Sequence, residues 1–489
     1  MHESKTATPR SLKHLVVSGT KWTGAVTVIQ SILQFGQLTI LSRLLQPDDF
    51  GLLAMAMVVI GCAQSISDFG INNAVIQKQE ISSDQFSSLY WFSIQIGALS
   101  ALVVWLSSSF MVSYYSEPRL GRIIKIYAIY FLIIPLGRQF AVMLERSLTF
   151  DWLAKVEILS ATVESIVAIT LAFSGAGALS IVFGSLAGAI TKTTFNFSLG
   201  LKRWGIRFHF RISDIREFLS FGMFLTMENI LNTLINNIDN ILIAKFLGAG
   251  PLGYYTLAYQ LVSVPAMKMG KIIGRVLYPT LSRLQCRKED FQKAYVKVIR
   301  ANLTFLFPAL AGMALVAKPL ILVVCGSKWL PSVTCIEILC ITGIVKSPGG
   351  QGVLVLLAKG RADISFYWKI LWSIALCTSC FVGITVGGTI QAVAYSILVA
   401  TIICDPGWHY LLIKLGKIDY IDLLKEVRGL FISTLLMVMT MIPIIMCFRT
   451  LSPVMMLALC TCVGIMVFGF SYRLLDAHRF NEIYSVIKG

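Results

Sequence analysis
The sequence predicts an all-α integral membrane protein of about fourteen transmembrane helices, built as two parallel-repeat six-helix lobes plus two C-terminal helices. Three observations predict this fold. Of 489 residues, 56% are hydrophobic and only 14% charged, with a mean hydropathy of +0.75, so the bilayer rather than water must be the solvent. Apolar windows of spanning length follow one another, leaving little chain for a soluble domain. A segment at the end of the first window recurs in the second half of the chain.

The windows fall at 22–45, 51–76, 87–112, 123–147, 153–175, 178–200, 217–247, 252–280, 295–317, 331–357, 364–386, 390–414, 428–448 and 453–475. Proline, glycine or charge clusters separate them. Lys and Arg concentrate on alternate connections, and cytoplasmic loops are the ones that retain them. On one side lie Lys5, Arg10 and Lys13, the 202–216 loop with Lys202, Arg203, Arg207, Arg211 and Arg216, and the 283–300 loop. Lys359, Arg361, Lys414, Lys417, Lys425, Arg428, Arg473, Arg479 and Lys488 join them. The opposite connections, such as 174–179 and 386–389, are short and poor in bases, with Arg119, Arg122 and Lys125 as the exception. Both termini are therefore expected in the cytoplasm. The polar, basic first twenty residues lack a short apolar core with a cleavage site, so no cleaved signal peptide is expected.

Arg43-Leu44-Leu45-Gln46-Pro47-Asp48-Asp49-Phe50-Gly51 returns as Lys245-Phe246-Leu247-Gly248-Ala249-Gly250-Pro251-Leu252-Gly253, and 245 minus 43 is an offset of 202. The same offset carries Gln30 onto Asn232, Gln34 onto Asn236 and Gln37 onto Asp239. Six windows separate the copies, so both have the same membrane orientation, as in parallel-repeat transporters. The expected divisions are 1–208 for the first lobe, 209–422 for the second and 423–489 for the appended helices.

Ionisable residues inside spans are costly and mark functional sites. Lys268, Lys271 and Arg275 stand at i, i+3 and i+7 and share one helical face. With Arg138, Lys192 and Lys346 they form a set suited to a phosphate-bearing anion, because Arg and Lys donate charge-assisted hydrogen bonds to phosphate oxygens. The bland alternative is snorkelling to the interface. Asp68, Glu164, Glu228, Asp239, Glu337 and Asp405 are the acidic counterparts, for ion coupling or for pairing with the bases. Gln30, Gln34, Gln37, Asn232, Asn236 and Asn240 form polar stripes that either line a sugar-binding cavity or pair between helices. No histidine is expected deep in a span.

The net charge of +17 lies between apolar runs rather than on a polar surface, which argues against nucleic acid as a partner. The 11 cysteines lie almost all within apolar stretches, so they are no disulfide framework, and the Cys377/Cys380 pair reads as helix packing rather than a redox or metal site. No nucleotide-binding loop or zinc motif is present, so no cofactor or metal is expected, and transport would run on a proton, sodium or substrate gradient.

The runs ILSRLLQPDDFGLLAMAMVVIGCAQSISDFGINNAVIQKQEIS, LGAGPLGYYTLAY, VPAMKMGKIIGRVLYP, GSKW and LLAKGRADISF resemble the Wzx-type polysaccharide flippases of the polysaccharide transporter family, within the multidrug/oligosaccharidyl-lipid/polysaccharide exporter superfamily. The resemblance covers nearly the whole chain. It implies a flippase of the bacterial inner membrane, not an enzyme, whose cargo is an undecaprenyl-diphosphate-linked oligosaccharide repeat unit for an exopolysaccharide of the colanic-acid kind. It further implies membrane lipids and polysaccharide polymerase or export machinery as partners. The rival readings are a cation-coupled multidrug exporter of the same fold, which would want acids rather than bases in its cavity, and a membrane glycosyltransferase or polymerase, for which no loop is large enough.

Overall fold
The computed structural model describes residues 9–69, 75, 81–284, 287–416, 418, 420–448 and 450–476. Among them every regular element is helical. Two compact units divide between Asn237 and Ile238.

The first unit contains α1 (Pro9–Leu44), α2 (Pro47–Asp68), α3 (Ser83–Tyr115), α4 (Pro118–Tyr127), α5 (Tyr130–Arg146), α6 (Phe150–Phe173), α7 (Leu179–Trp204) and α8 (Ile212–Asn236). Its most extensive packing joins α6 to α7, with α5 against α7 and α1 against α6. Small residues permit this closeness: a Cβ at Gly184 would stand 2.8 Å from the Glu164 carbonyl oxygen, and one at Gly188, a turn later, 3.2 Å from that of Ser160. Lipid offers no hydrophobic drive for helix pairing, so van der Waals contact through small residues replaces it. α8 packs on α2 and α3.

The second unit contains α9 (Ile238–Leu247), α10 (Ala249–Leu284), α11 (Lys288–Leu315), α12 (Ala317–Val324), α13 (Ser332–Lys346), α14 (Gly352–Ala358), α15 (Ala362–Val382), α16 (Ile390–Gly416), α17 (Tyr420–Cys447) and α18 (Pro453–Leu475). Its core gathers Leu277, Tyr295, Ile299, Leu303, Trp408 and Leu412 with Leu430 of α17. The Arg300 guanidinium of α11 also donates to Glu426 of α17 at 2.6 Å. The helices expected as an appendage are thus fastened to the unit by both an apolar contact and an ion pair.

Ten helices among the described residues are long and apolar enough to cross a membrane, and each falls on one of the expected windows. The other windows are occupied by α1, α7, α8 with α9, and α10, which are helical but more polar. These are the segments that carry Gln30 to Gln37, Lys192, Asn232 to Asn240 and Lys268 to Arg275.

Helix boundaries reproduce the 202-residue repeat. α2 begins at Pro47 and α10 at Ala249, 202 positions on. The turn before α2 is fixed by Asp49, whose carboxylate accepts from the Gln46 N–H at 3.0 Å and the Ala178 N–H at 3.1 Å. Where α1 is unbroken, however, its counterpart is split at Asn237, and the 217–247 window is two helices. Asn236 and Asn237 replace Gln34 and Phe35 there, and the Asn237 side-chain amide donates to the Thr233 carbonyl at 2.8 Å, competing with the helix ladder. The 331–357 window is likewise interrupted, by Ser347-Pro348-Gly349-Gly350 between α13 and α14.

Candidate functional site
Each unit holds its own group of intramembrane charges. In the first, Arg138 of α5 pairs with Asp68 at the C-terminal end of α2. Lys192 of α7 lies 3.6 Å from Glu157 of α6. Gly137 sets the α5–α7 distance beside Arg138, since a Cβ there would stand 2.8 Å from both Cα and O of Thr193. Glu164 is partly buried against Gly188 of α7. Both bases of this unit therefore already have acid partners, and an anion would have to compete with Asp68 and Glu157 for them.

In the second unit the helix breaks create the charged positions. Asp239 falls in the first turn of α9, where the helix dipole favours an anion. It is buried at 7% exposure, and its carboxylate accepts from the Tyr255 hydroxyl at 2.7 Å and the Asn240 N–H at 2.9 Å. Lys346 ends α13, where the dipole favours a cation, and its ammonium stands 4.1 Å from the centre of the Trp372 ring. Asp239 and Asp405 both act on Lys346 electrostatically, yet neither closes a salt bridge with it. Lys346 is consequently a base of this group that no acid holds in a closed salt bridge.

Asp405 of α16 is instead held by His409, one turn on, at 3.1 Å. This histidine stands six residues before the C-terminal end of the membrane-spanning part of α16. Its spacing of four from Asp405 was the available signal. The Asp405–His409 pair lines a cavity of about 670 Å³ shared with Leu303, Phe307, Lys425 and Arg428. A second cavity, of about 570 Å³ and almost wholly apolar, lies between α11, α17 and α18, with Phe305, Pro308, Met437, Ile465 and Phe468 on its walls.

The polar stripes are only partly continuous. Gln37 accepts from Ser165 of α6 at 2.9 Å, an interhelical amide pairing, while Gln30 is partly buried and Gln34 exposed. Asn232 and Asn236 follow one another on α8, one and two turns after Glu228, but Asn240 lies on α9 beyond the break, so the stripe is divided after Asn236. Glu337 is partly buried on α13. α10 is helical through 268, 271 and 275, whose side chains lie outside the described residues. Among the described residues the cysteines are free thiols, and no group of His, Cys, Asp and Glu could hold a metal ion.

The architecture is that of a multi-pass membrane transport protein with the fold of the multidrug/oligosaccharidyl-lipid/polysaccharide exporter superfamily. It matches the lipid II flippase MurJ in an inward closed conformation with a TM-score of 0.72 at 14% identity, over 92% of this chain and 98% of that one. It also matches an inward-facing multidrug resistance MATE transporter with a TM-score of 0.62 at 12% identity, over 79% and 96%. Residues 40–334 match the family described as polysaccharide biosynthesis protein. The chain is 31% identical to the lipopolysaccharide biosynthesis protein WzxC of Escherichia coli strain K12, over 83% of this chain and 82% of that protein. It is 32% identical to the teichuronic acid biosynthesis protein TuaB of Bacillus subtilis strain 168, over 73% and 74%. The chain belongs to the polysaccharide biosynthesis protein family, within its Wzx-type transporters.

Proposed function
We propose that this protein is a flippase that carries an undecaprenyl-diphosphate-linked oligosaccharide repeat unit from the cytoplasmic to the periplasmic leaflet of a bacterial inner membrane, for exopolysaccharide assembly. The observation that carries the reading is an intramembrane lysine, Lys346, held at a helix end without a closed salt bridge, in a chain of the polysaccharide biosynthesis family. A diphosphate is a multiply charged anion, and in a low-dielectric wall it needs fixed cations that are not already neutralised. Lys268, Lys271 and Arg275 on α10 add the same chemistry from a second helix. The apolar cavity between α11, α17 and α18 suits part of a polyprenyl chain, and exposed amides such as Gln34 and Asn236 suit sugar hydroxyls. Both termini face the cytoplasm, and the acids Asp239 and Asp405 serve coupling to a proton or sodium gradient. Polymerase and export machinery receive the flipped unit.

The test is lipid analysis of a deletion strain. An undecaprenyl-linked repeat unit should accumulate on the cytoplasmic side, and its sugars would name the glycan. An unchanged lipid-linked pool together with drug hypersensitivity would overturn the reading in favour of a multidrug exporter.

A further inference from the structure
The loop 205–211 between α7 and α8 is built as a fixed platform rather than a slack connection. Its backbone is bound to the first turns of α3: the Arg207 N–H donates to Ser87 Oγ at 3.3 Å, the Arg211 N–H to Ser88 Oγ at 3.1 Å, and the Trp91 indole N–H to the Arg207 carbonyl at 3.0 Å. Asp214 closes the far end, accepting from Ser88 Oγ at 3.0 Å and pairing with His209 at 2.8 Å. What this framework presents is an aromatic side chain turned outward. Phe208 stacks on Trp91 with ring centres 5.2 Å apart, yet is 96% exposed, with Ile212 at 63% beside it. Arg203, Arg211 and Arg216, close to Phe208 in sequence, are exposed bases, while Arg207 is shared with Asp84 at 3.3 Å.

The position of this platform follows from α3. At 33 residues that helix is about 50 Å long against a hydrocarbon core of roughly 30 Å, so its ends extend about 10 Å into each headgroup layer. Trp91 lies eight residues from its start, about 12 Å along the axis, at the boundary between headgroups and acyl chains. Tryptophan is enriched at that level. Phe208, stacked on Trp91, is carried at the same level in a segment rich in exposed bases, and an exposed aromatic in a basic segment is the pattern that binds an anionic membrane surface.

We propose that the 203–216 segment is a site for anionic phospholipid: Phe208 inserts among the upper acyl carbons while Arg203 and Arg211 hold lipid phosphates, anchoring the start of α8. The proposal depends on membrane insertion and not on the cargo.

The test places the photo-crosslinking residue p-benzoylphenylalanine at position 208 of the full chain in nanodiscs of phosphatidylcholine with about one-third phosphatidylglycerol. Adducts are then analysed by mass spectrometry. Phospholipid adducts are expected, with phosphatidylglycerol over-represented at least threefold relative to its share, and Arg203→Gln with Arg211→Gln should abolish that excess at an unchanged melting temperature. Adducts confined to protein, whether a second copy or a co-purified partner, would overturn the proposal. So would lipid adducts in bulk proportion, or an excess that survives loss of both arginines.

Discussion

The ion pair between Arg300 and Glu426 offers a measurement of how the appended helices are held. Arg300 on α11 is 8% exposed and Glu426 on α17 is 30% exposed, with Nη1 and Oε2 2.6 Å apart. Removing one partner of a buried pair costs about 3–5 kcal/mol because the remaining charge is stranded, whereas replacing both by apolar groups is close to neutral. The two halves are not equivalent here. Glu426→Gln removes the charge that faces a guanidinium with almost no access to solvent, and should cost about 3 kcal/mol. Arg300→Met leaves a carboxylate that is nearly a third exposed and can reach water or take a proton, and should cost about 1–2 kcal/mol. At roughly 2–4 °C per kcal/mol for a unit of this size, the melting temperature in detergent should fall by about 6–12 °C for the first variant and about 2–8 °C for the second. The double variant Arg300→Met with Glu426→Met should recover most of the loss. If the two single effects simply added in the double variant, or if Arg300→Met were the worse of the two, the pair would not be the coupled fastening inferred here.

Three further outcomes are expected. Lys268→Ala or Lys346→Met, stably inserted at wild-type abundance, should reduce polymer export at least tenfold in a complementation assay, whereas Lys192→Met should have a smaller effect because Glu157 already neutralises that lysine. Gly137→Ala forces a Cβ to within 2.8 Å of the Thr193 backbone and should lower the melting temperature by several degrees, the cost of overpacking being about 1–3 kcal/mol. Hydrogen bonding from His209, supported by Ser88, holds the Asp214 carboxyl below the usual carboxylate range. A depressed acid stabilises above its unfolded value of about 3.9 and loses that contribution as pH falls through the folded value, so amide exchange in the 205–211 loop should rise below about pH 4. Asp214→Asn should already exchange fast at pH 7 and lose that acid step.

The fold was legible because hydrophobicity along a membrane helix is a one-dimensional signal: the apolar windows and the 202-residue offset needed no knowledge of neighbours. The site was less so. Arg138, Lys192 and Lys346 read alike in sequence, since each is a base in an apolar run. Only packing distinguishes them, by placing Asp68 and Glu157 against the first two and an aromatic ring against the third. His409 was passed over because its significance lies in Asp405 one turn away and in the cavity that both line.

Composition and periodicity by themselves determined that the chain is an all-α membrane protein, and they carry a 202-residue internal repeat. They also located the junction at which α2 and α10 begin, because proline, glycine and acidic residues act on their own local backbone. Tertiary structure alone decided which charges the helix breaks support and which partners those charges meet. Asp239 at the start of α9 and Lys346 at the end of α13 gain their electrostatic support from helix ends that exist only once the surrounding helices hold the broken segments in place.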